Sequence, residues 1–174
     1  IKAFASSGTW TKPAGINFIK ATVVGGGGGG SSYQGGDSGA TVIKLLDVST
    51  NSTGTVIIGA GGAGAPANAS SYGSPGNKSS LTIAGTVISA NGGAAGTSNS
   101  VTIASGGDIN INGGKGSIVG SAKRGADSTV GIGGTSLGGG GIVDGGLGAG
   151  GGGGDYNIIG GKGGNGYIII EEYA

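Results

Sequence analysis

Six consecutive glycines, Gly25–Gly30, directly follow the strand-like stretch Ile16–Val24. Shorter tracts, Gly138–Gly141 and Gly150–Gly154, repeat the feature, and glycine fills 49 of the 174 positions, about four times its usual share. Glycine loses more backbone entropy on folding than any other residue. A long tract that orders must therefore gain something side chains forbid, namely close packing of backbone against backbone. Such tracts are either disordered linkers or densely packed extended strands. The rest of the chain decides between them.

Disordered segments combine low hydrophobicity with high net charge. Here charged residues make up 10%, the net charge is +1, there are three prolines, and mean hydropathy is positive. The apolar residues are mainly small or β-branched, with two Phe and one Trp. That balance points to an ordered, weakly charged protein with little helix. The length reads as one domain over residues 1–174, and the missing initiator Met points to a fragment or a processed product. Near-neutral charge leaves no electrostatic footprint for nucleic acid or an anionic membrane. No apolar run approaches the roughly 20 residues of a membrane-spanning helix, so no membrane insertion is expected.

Histidine, cysteine and methionine are absent. Without them a Cys nucleophile, a Ser-His-Asp triad and every His or thiolate metal site are excluded. Neither a cofactor nor enzymatic activity is expected.

Lys12-Pro13-Ala14-Gly15 reads as a turn. In Ile16–Val24, Ile19, Ala21 and Val23 alternate with Phe18, Lys20 and Thr22, the period of a half-buried strand. Further strands are expected at 4–10, 41–48, 53–58, 81–83, 86–90, 101–104 and 109–112, with a terminal strand after Gly166. No segment carries a helical period for more than a turn. The expected class is all-β, a β-sandwich-like domain with interleaved glycine-rich extended strands. Collagen is excluded, because it needs glycine at every third residue and abundant proline. Polyproline-II-like packing still fits locally: six glycines would span on the order of 19 Å without internal hydrogen bonds. Neighbouring strands must then satisfy their N–H and C=O groups.

Sequence motifs for nucleotides and calcium fail on inspection. G-x-G-x-x-G occurs at Gly25, Gly27 and Gly30, but no helix follows to receive a phosphate. Gly114-Lys115 and Gly161-Lys162 are each followed by glycine, not Ser or Thr, which rules out a Walker A loop. In three G-G-x-G segments the calcium-binding aspartate position holds Pro66, Ile118 and Gly150. The aspartates Asp37, Asp108, Asp127, Asp144 and Asp155 read as turn braces, ahead of a glycosidase pair.

Polar and aromatic inserts between the tracts remain. Tyr33, Gln34, Tyr72, Asn77, Lys123, Arg124, Asp127, Asp155, Tyr156 and Asn157 stand in them. Tyrosine beside Asn, Asp or Lys suits a carbohydrate, the ring packing on a sugar face while polar groups bond hydroxyls. An equal reading is that tyrosines plug gaps in a core short of side chains, as expected for Tyr167 and Tyr173.

Several landmarks share an order with a known family. Phe4-x-x-x-Gly8-Thr9-Trp10-Thr11-x-Pro13-Ala14-Gly15 precedes a strand, Val23-Val24 and the glycine run. Val56-Ile57-Ile58-Gly59-Ala60-Gly61-Gly62-Ala63-Gly64, Ser89-Ala90-Asn91-Gly92-Gly93 and Gly163-Gly164-Asn165-Gly166-Tyr167-Ile168-Ile169-Ile170-Glu171 follow. Together they resemble the glycine-rich C-terminal domain of bacteriophage tail-fibre (receptor-binding) proteins. The resemblance implies a homotrimeric domain at the distal end of a virion's tail fibre. It also implies polyglycine-II strands, and variable loops that recognise a bacterial surface polysaccharide or outer-membrane receptor. The alternative is a structural trimerisation or capping module, with a capsule-degrading enzyme or an ice-binding protein further behind.

Overall fold

The computed structural model describes residues 1–67, 71–96, 101–119, 122–137, 141–154 and 157–174. Thirteen strands are present among them, and no helix. They are β1 (Lys2–Phe4), β2 (Gly8–Thr11), β3 (Phe18–Val24), β4 (Thr41–Asp47), β5 (Thr53–Ile57), β6 (Ser79–Ile83) and β7 (Thr86–Ala90). The later ones are β8 (Ile109–Ile111), β9 (Ser117–Val119), β10 (Ala122–Arg124), β11 (Ser136–Leu137), β12 (Gly141–Ile142) and β13 (Tyr167–Tyr173). One antiparallel sheet has the order β1-β13-β3-β4-β8 and the other β2-β5-β6-β7, while β9–β10 and β11–β12 form separate ribbons.

The two large sheets make a β-sandwich whose core follows the sequence period. Ile19, Ala21 and Val23 of β3 are fully buried, with Val42 from β4 and Ile168 and Ile170 from β13. Trp10, Val56, Leu81 and Ile88 close the core from the other sheet. Burying the Trp10 indole requires an acceptor for its N–H. The terminal strand supplies one: Trp10 Nε1 donates to Glu172 Oε1 at 3.0 Å.

Three local expectations are corrected. Residues 4–10 form no single strand, because the chain leaves β1, bends at 5–7 and re-enters in the opposite sheet as β2. Among the described residues, 101–104 pair with no strand: Val101 and Ile103 lie exposed, and Thr102 O accepts from Gly113 N at 2.9 Å. Tyr167 is buried as expected, but Tyr173 is 44% exposed at the sheet's end. Between β6 and β7 the turn places Ala84 at φ 46° and Gly85 at φ 82°. Positive φ at both central residues is the type I′ geometry that matches strand twist.

The second half of the fold is a backbone lattice. Gly25–Gly30 leave the sandwich from the end of β3, and their N–H groups address three strands in rotation. Gly25 and Gly28 donate to Ala40 and Asp37; Gly26 and Gly29 donate to Asn77 and Ser74; Gly27 and Gly30 donate to Gly164 and Gly161. All six bonds are 2.8–3.0 Å long. In return Gly62, Ala65, Gly93, Gly96 and Gly151 donate to carbonyls of 26–30. The registers make the three accepting strands antiparallel to 25–30 and the three donating strands parallel to it.

Those six neighbours also bond to each other in a closed ring. Gly36 reaches Gly151, Asp37 reaches Ala94, Gly76 reaches Gly93, Ser74 reaches Ala63, Gly163 reaches Gly62, and Gly164 reaches Ala149. A threefold bond rotation is what an extended helix of three residues per turn gives. The tract is thus the central strand of a seven-strand polyglycine-II bundle. A Cβ built on any of Gly25–Gly30 would fall within 3.0 Å of a neighbouring strand's backbone carbonyl. The residues forming it are glycine because nothing larger fits.

Two predictions follow from this packing. Overpacking costs about 1–3 kcal/mol where side chains can yield; at Gly28 the obstacle is backbone, so Gly28→Ala is expected to lose at least that. Gly8, with nothing within 4 Å of its added Cβ, accepts alanine within about 0.5 kcal/mol. Thermal melts compare the pair, and equal melting temperatures would contradict the lattice. In the hairpin, Ala84→Asn is expected to gain about 0.5–1 kcal/mol by easing the left-handed conformation, read as an upward shift of the same melt.

Candidate functional site

Strands that leave the sandwich must turn at the far end of the lattice and come back. The turn at 31–34 is braced by Ser31, whose Oγ accepts from Tyr33 N at 3.0 Å and Gln34 N at 2.9 Å, while Ser31 N donates to Gln34 O. This is a serine turn competing with secondary structure. It pushes Tyr33 outward, half exposed.

Bonds between turns knit the far end together. Ser32 N donates to Ser71 O, which sets Tyr72 beside the first turn. Gln34 Nε2 donates to Gly116 O at 2.6 Å. Gly153 N donates to Lys123 O and Gly154 N to Ser31 O. Lys123 Nζ caps two further carbonyls, Ser32 O at 2.7 Å and Gly154 O. The turns at 31–34 and 71–72, the β9–β10 ribbon and the end of 148–154 therefore form one contiguous surface. Ile1 and Tyr173 lie at the opposite, sandwich end, where β13 pairs with β1 and β3.

This arrangement divides the residues that sequence reasoning grouped. Tyr33, Gln34, Tyr72 and Lys123 come together at the distal end. Gln34 and Lys123 there hold turns in place, and Tyr72 is the most exposed of the four at 66%. Asn77 is elsewhere. Its carbonyl accepts from Gly26 and the next residues enter β6, so it sits at the sandwich end. Arg124 and Asp127 form an exposed ion pair, Nη2 to Oδ1 at 2.8 Å and to Oδ2 at 2.9 Å, and Asp127 Oδ1 also accepts from Gly133 N. Asn157 is exposed in the turn before Gly160. Asp155 and Tyr156, like Ser70 and 138–140 of the second glycine tract, lie outside the described residues.

Two residues that sequence reasoning passed over join the distal surface. Ile118 on β9 and Ile159 beside Gly160 are each more than half exposed. Their signal was present as aliphatic residues in short inserts between glycines, but such aliphatics read first as core. The distal end therefore presents Tyr33, Tyr72, Ile118 and Ile159, a mixed aromatic and aliphatic surface on a rigid frame.

Three further aspartates brace backbone, but on segments distant in sequence rather than, as their Gly/Ser contexts suggested, in their own turns. Asp108 Oδ2 accepts from Leu45 N and Asp144 Oδ1 from Lys162 N, both at 2.8 Å. Asp37 is the buried case: Oδ1 accepts from Gly116 N at 3.0 Å, and Oδ2 has no partner among the described residues. Burial pushes its carboxyl above the ordinary range, against the opposing pull of Gly116 N–H and Lys115.

The whole-chain pattern matches a family of glycine-rich domains over residues 3–173. The chain belongs to the glycine-rich domain family. No curated protein matches it. In this glycine-rich domain the landmarks of the sequence fall on the frame: 56–64 leaves β5 for the lattice, and 163–171 returns from it into β13.

A raised pKa in the folded state means the protonated acid is favoured there. The cost of ionising Asp37 is thus present at neutral pH and fades as pH falls through the folded pKa toward about 4. Asp37→Asn keeps an acceptor for Gly116 N. It is expected to raise the melting temperature at pH 7 more than at pH 4, measured by calorimetry at both values. An equal shift would show that Asp37 ionisation carries no cost.

Proposed function

We propose that this domain is the receptor-binding tip of a bacteriophage tail fibre, attaching the virion to a host bacterial surface without enzymatic chemistry. The observation that supports it best is the two-ended frame. One end holds Ile1 and Tyr173 on the sandwich, and the other gathers turns from across the sequence into one exposed surface. A lattice closed by backbone bonds leaves the exposed side chains of those turns, such as Tyr33 and Tyr72, free to vary, because none of its bonds depends on them. That is the division of labour a recognition surface needs.

The leading ligand class is a surface polysaccharide, with an outer-membrane protein receptor second. Tyr33 and Tyr72 offer flat faces for sugar rings, and Ile118 and Ile159 add apolar contact. In a homotrimer at the fibre end three such surfaces act together, and linked binding raises avidity without new contacts. A structural capping module remains the other reading, and its mark is a stable trimer that binds no cell.

The test uses fluorescently labelled protein on a panel of bacterial strains, with oligomer mass taken by light scattering. Strain-selective binding by a trimer is expected, competed by purified surface polysaccharide. Tyr33→Ala and Tyr72→Ala should each weaken binding about fivefold or more while melting like the parent. Full binding by both variants would remove the distal surface from the account. A folded monomer would contradict the fibre-tip reading.

A further inference from the structure

Away from the distal end, a cleft of about 290 Å³ opens on the flank where the lattice meets the sandwich. Ser38, Asn112, Asp127, Thr129 and Ile111 line it, brought together because β8 pairs with the start of β4, Thr41 opposite Ile111. Its polar groups hold complementary capacity. Ser38 is 1% exposed, and its Oγ accepts from Gly114 N at 2.8 Å, leaving the hydroxyl proton to donate. Asn112 Oδ1 accepts from Ala104 N at 2.9 Å, and its amide Nδ2 has no partner among the described residues. A carboxylate has about four acceptor positions. Three on Asp127 are taken by Arg124 and Gly133, so Oδ2 keeps one. Ile111, 41% exposed, supplies an apolar wall.

Charge narrows the ligand. Asp127 is already paired with Arg124, which weakens it as a cation site, and its presence disfavours an anion. What fits is a neutral ring with several hydroxyls that both donate and accept beside a patch of C–H. We propose that this cleft is a second glycan subsite, taking one neutral pyranose unit of the polysaccharide whose chain the distal surface contacts. It rests on the polysaccharide reading for the source of the sugar, and on its own side chains for the binding.

The test is amide chemical-shift mapping on ¹⁵N-labelled protein titrated separately with galactose, mannose, N-acetylglucosamine and rhamnose. At least one sugar is expected to shift the amides of Ser38, Asn112, Asp127 and Thr129. Asn112→Asp keeps the acceptor for Ala104 N and removes the free donor, so it should weaken that titration about fivefold. Ile111→Ala, on an exposed edge strand, should weaken it similarly and stands as the second variant. No shift in the cleft with any of the four sugars would overturn the subsite, as would shifts that both variants leave unchanged. Shifts confined to 31–34 and 71–72 would overturn it while leaving the distal reading intact. Cleft shifts alongside full cell binding by the Tyr33 and Tyr72 variants would keep the subsite and remove the distal surface.

Discussion

Each N–H of residues 25–30 finds its carbonyl on a different strand in turn, and that rotation organises the molecule. Three strands accept from the tract and three donate to it, so the run of glycines is held on six sides by backbone alone. The bonds are individually modest, about 1 kcal/mol net each. Their effect is cooperative in space, because the six surrounding strands are bonded to one another as well. A single Cβ in the central strand would part it from a neighbour and open the ring beside it. Close approach thereby offsets the entropy that ordering glycine costs.

From that constraint comes the division of the molecule into two ends. The sandwich has an ordinary core of Ile, Val, Leu and one Trp, sealed by β3 and β13, which lead into and out of the lattice. The lattice has almost no side-chain core, so it depends on its backbone bonds and on a few clamping side chains. Side chains at its margins act as clamps: Lys123 caps carbonyls of two turns, Asp37 holds Gly116, and Asn165 Oδ1 accepts from Gly61 N. Recognition chemistry can then occupy the distal surface and the flank without disturbing the frame.

The sandwich was largely legible. Alternation in 16–24 placed Ile19, Ala21 and Val23 inward, and the apolar run after Gly166 became β13. The need for backbone contact was also legible from six adjacent glycines. Their place at the centre of a ring was not. Three of the six partner strands include residues such as Asp37, Ser74, Pro75, Asn77 and Asn91, and a bond to a backbone carbonyl leaves no mark on residue type. For the same reason one candidate residue fell at the wrong end. Extended strands advance about 3.1 Å per residue, so Asn77, five residues after Tyr72, lies roughly 15 Å back toward the sandwich. Lys123 and Arg124 diverge for a simpler reason: neighbours on a strand point to opposite faces, one to the distal carbonyls and the other to Asp127. Residues 101–104 carry a strand's composition but pair with no strand among the described residues.

The most direct measurement of the central claim is through-hydrogen-bond scalar coupling by NMR on uniformly labelled protein. Couplings are expected from the amide nitrogens of Gly27, Gly28 and Gly29 to the carbonyl carbons of Gly164, Asp37 and Ser74, three different strands in sequence order. Couplings from all three to one neighbouring strand, as in a β-ladder, would contradict the lattice, and so would their absence in a folded protein.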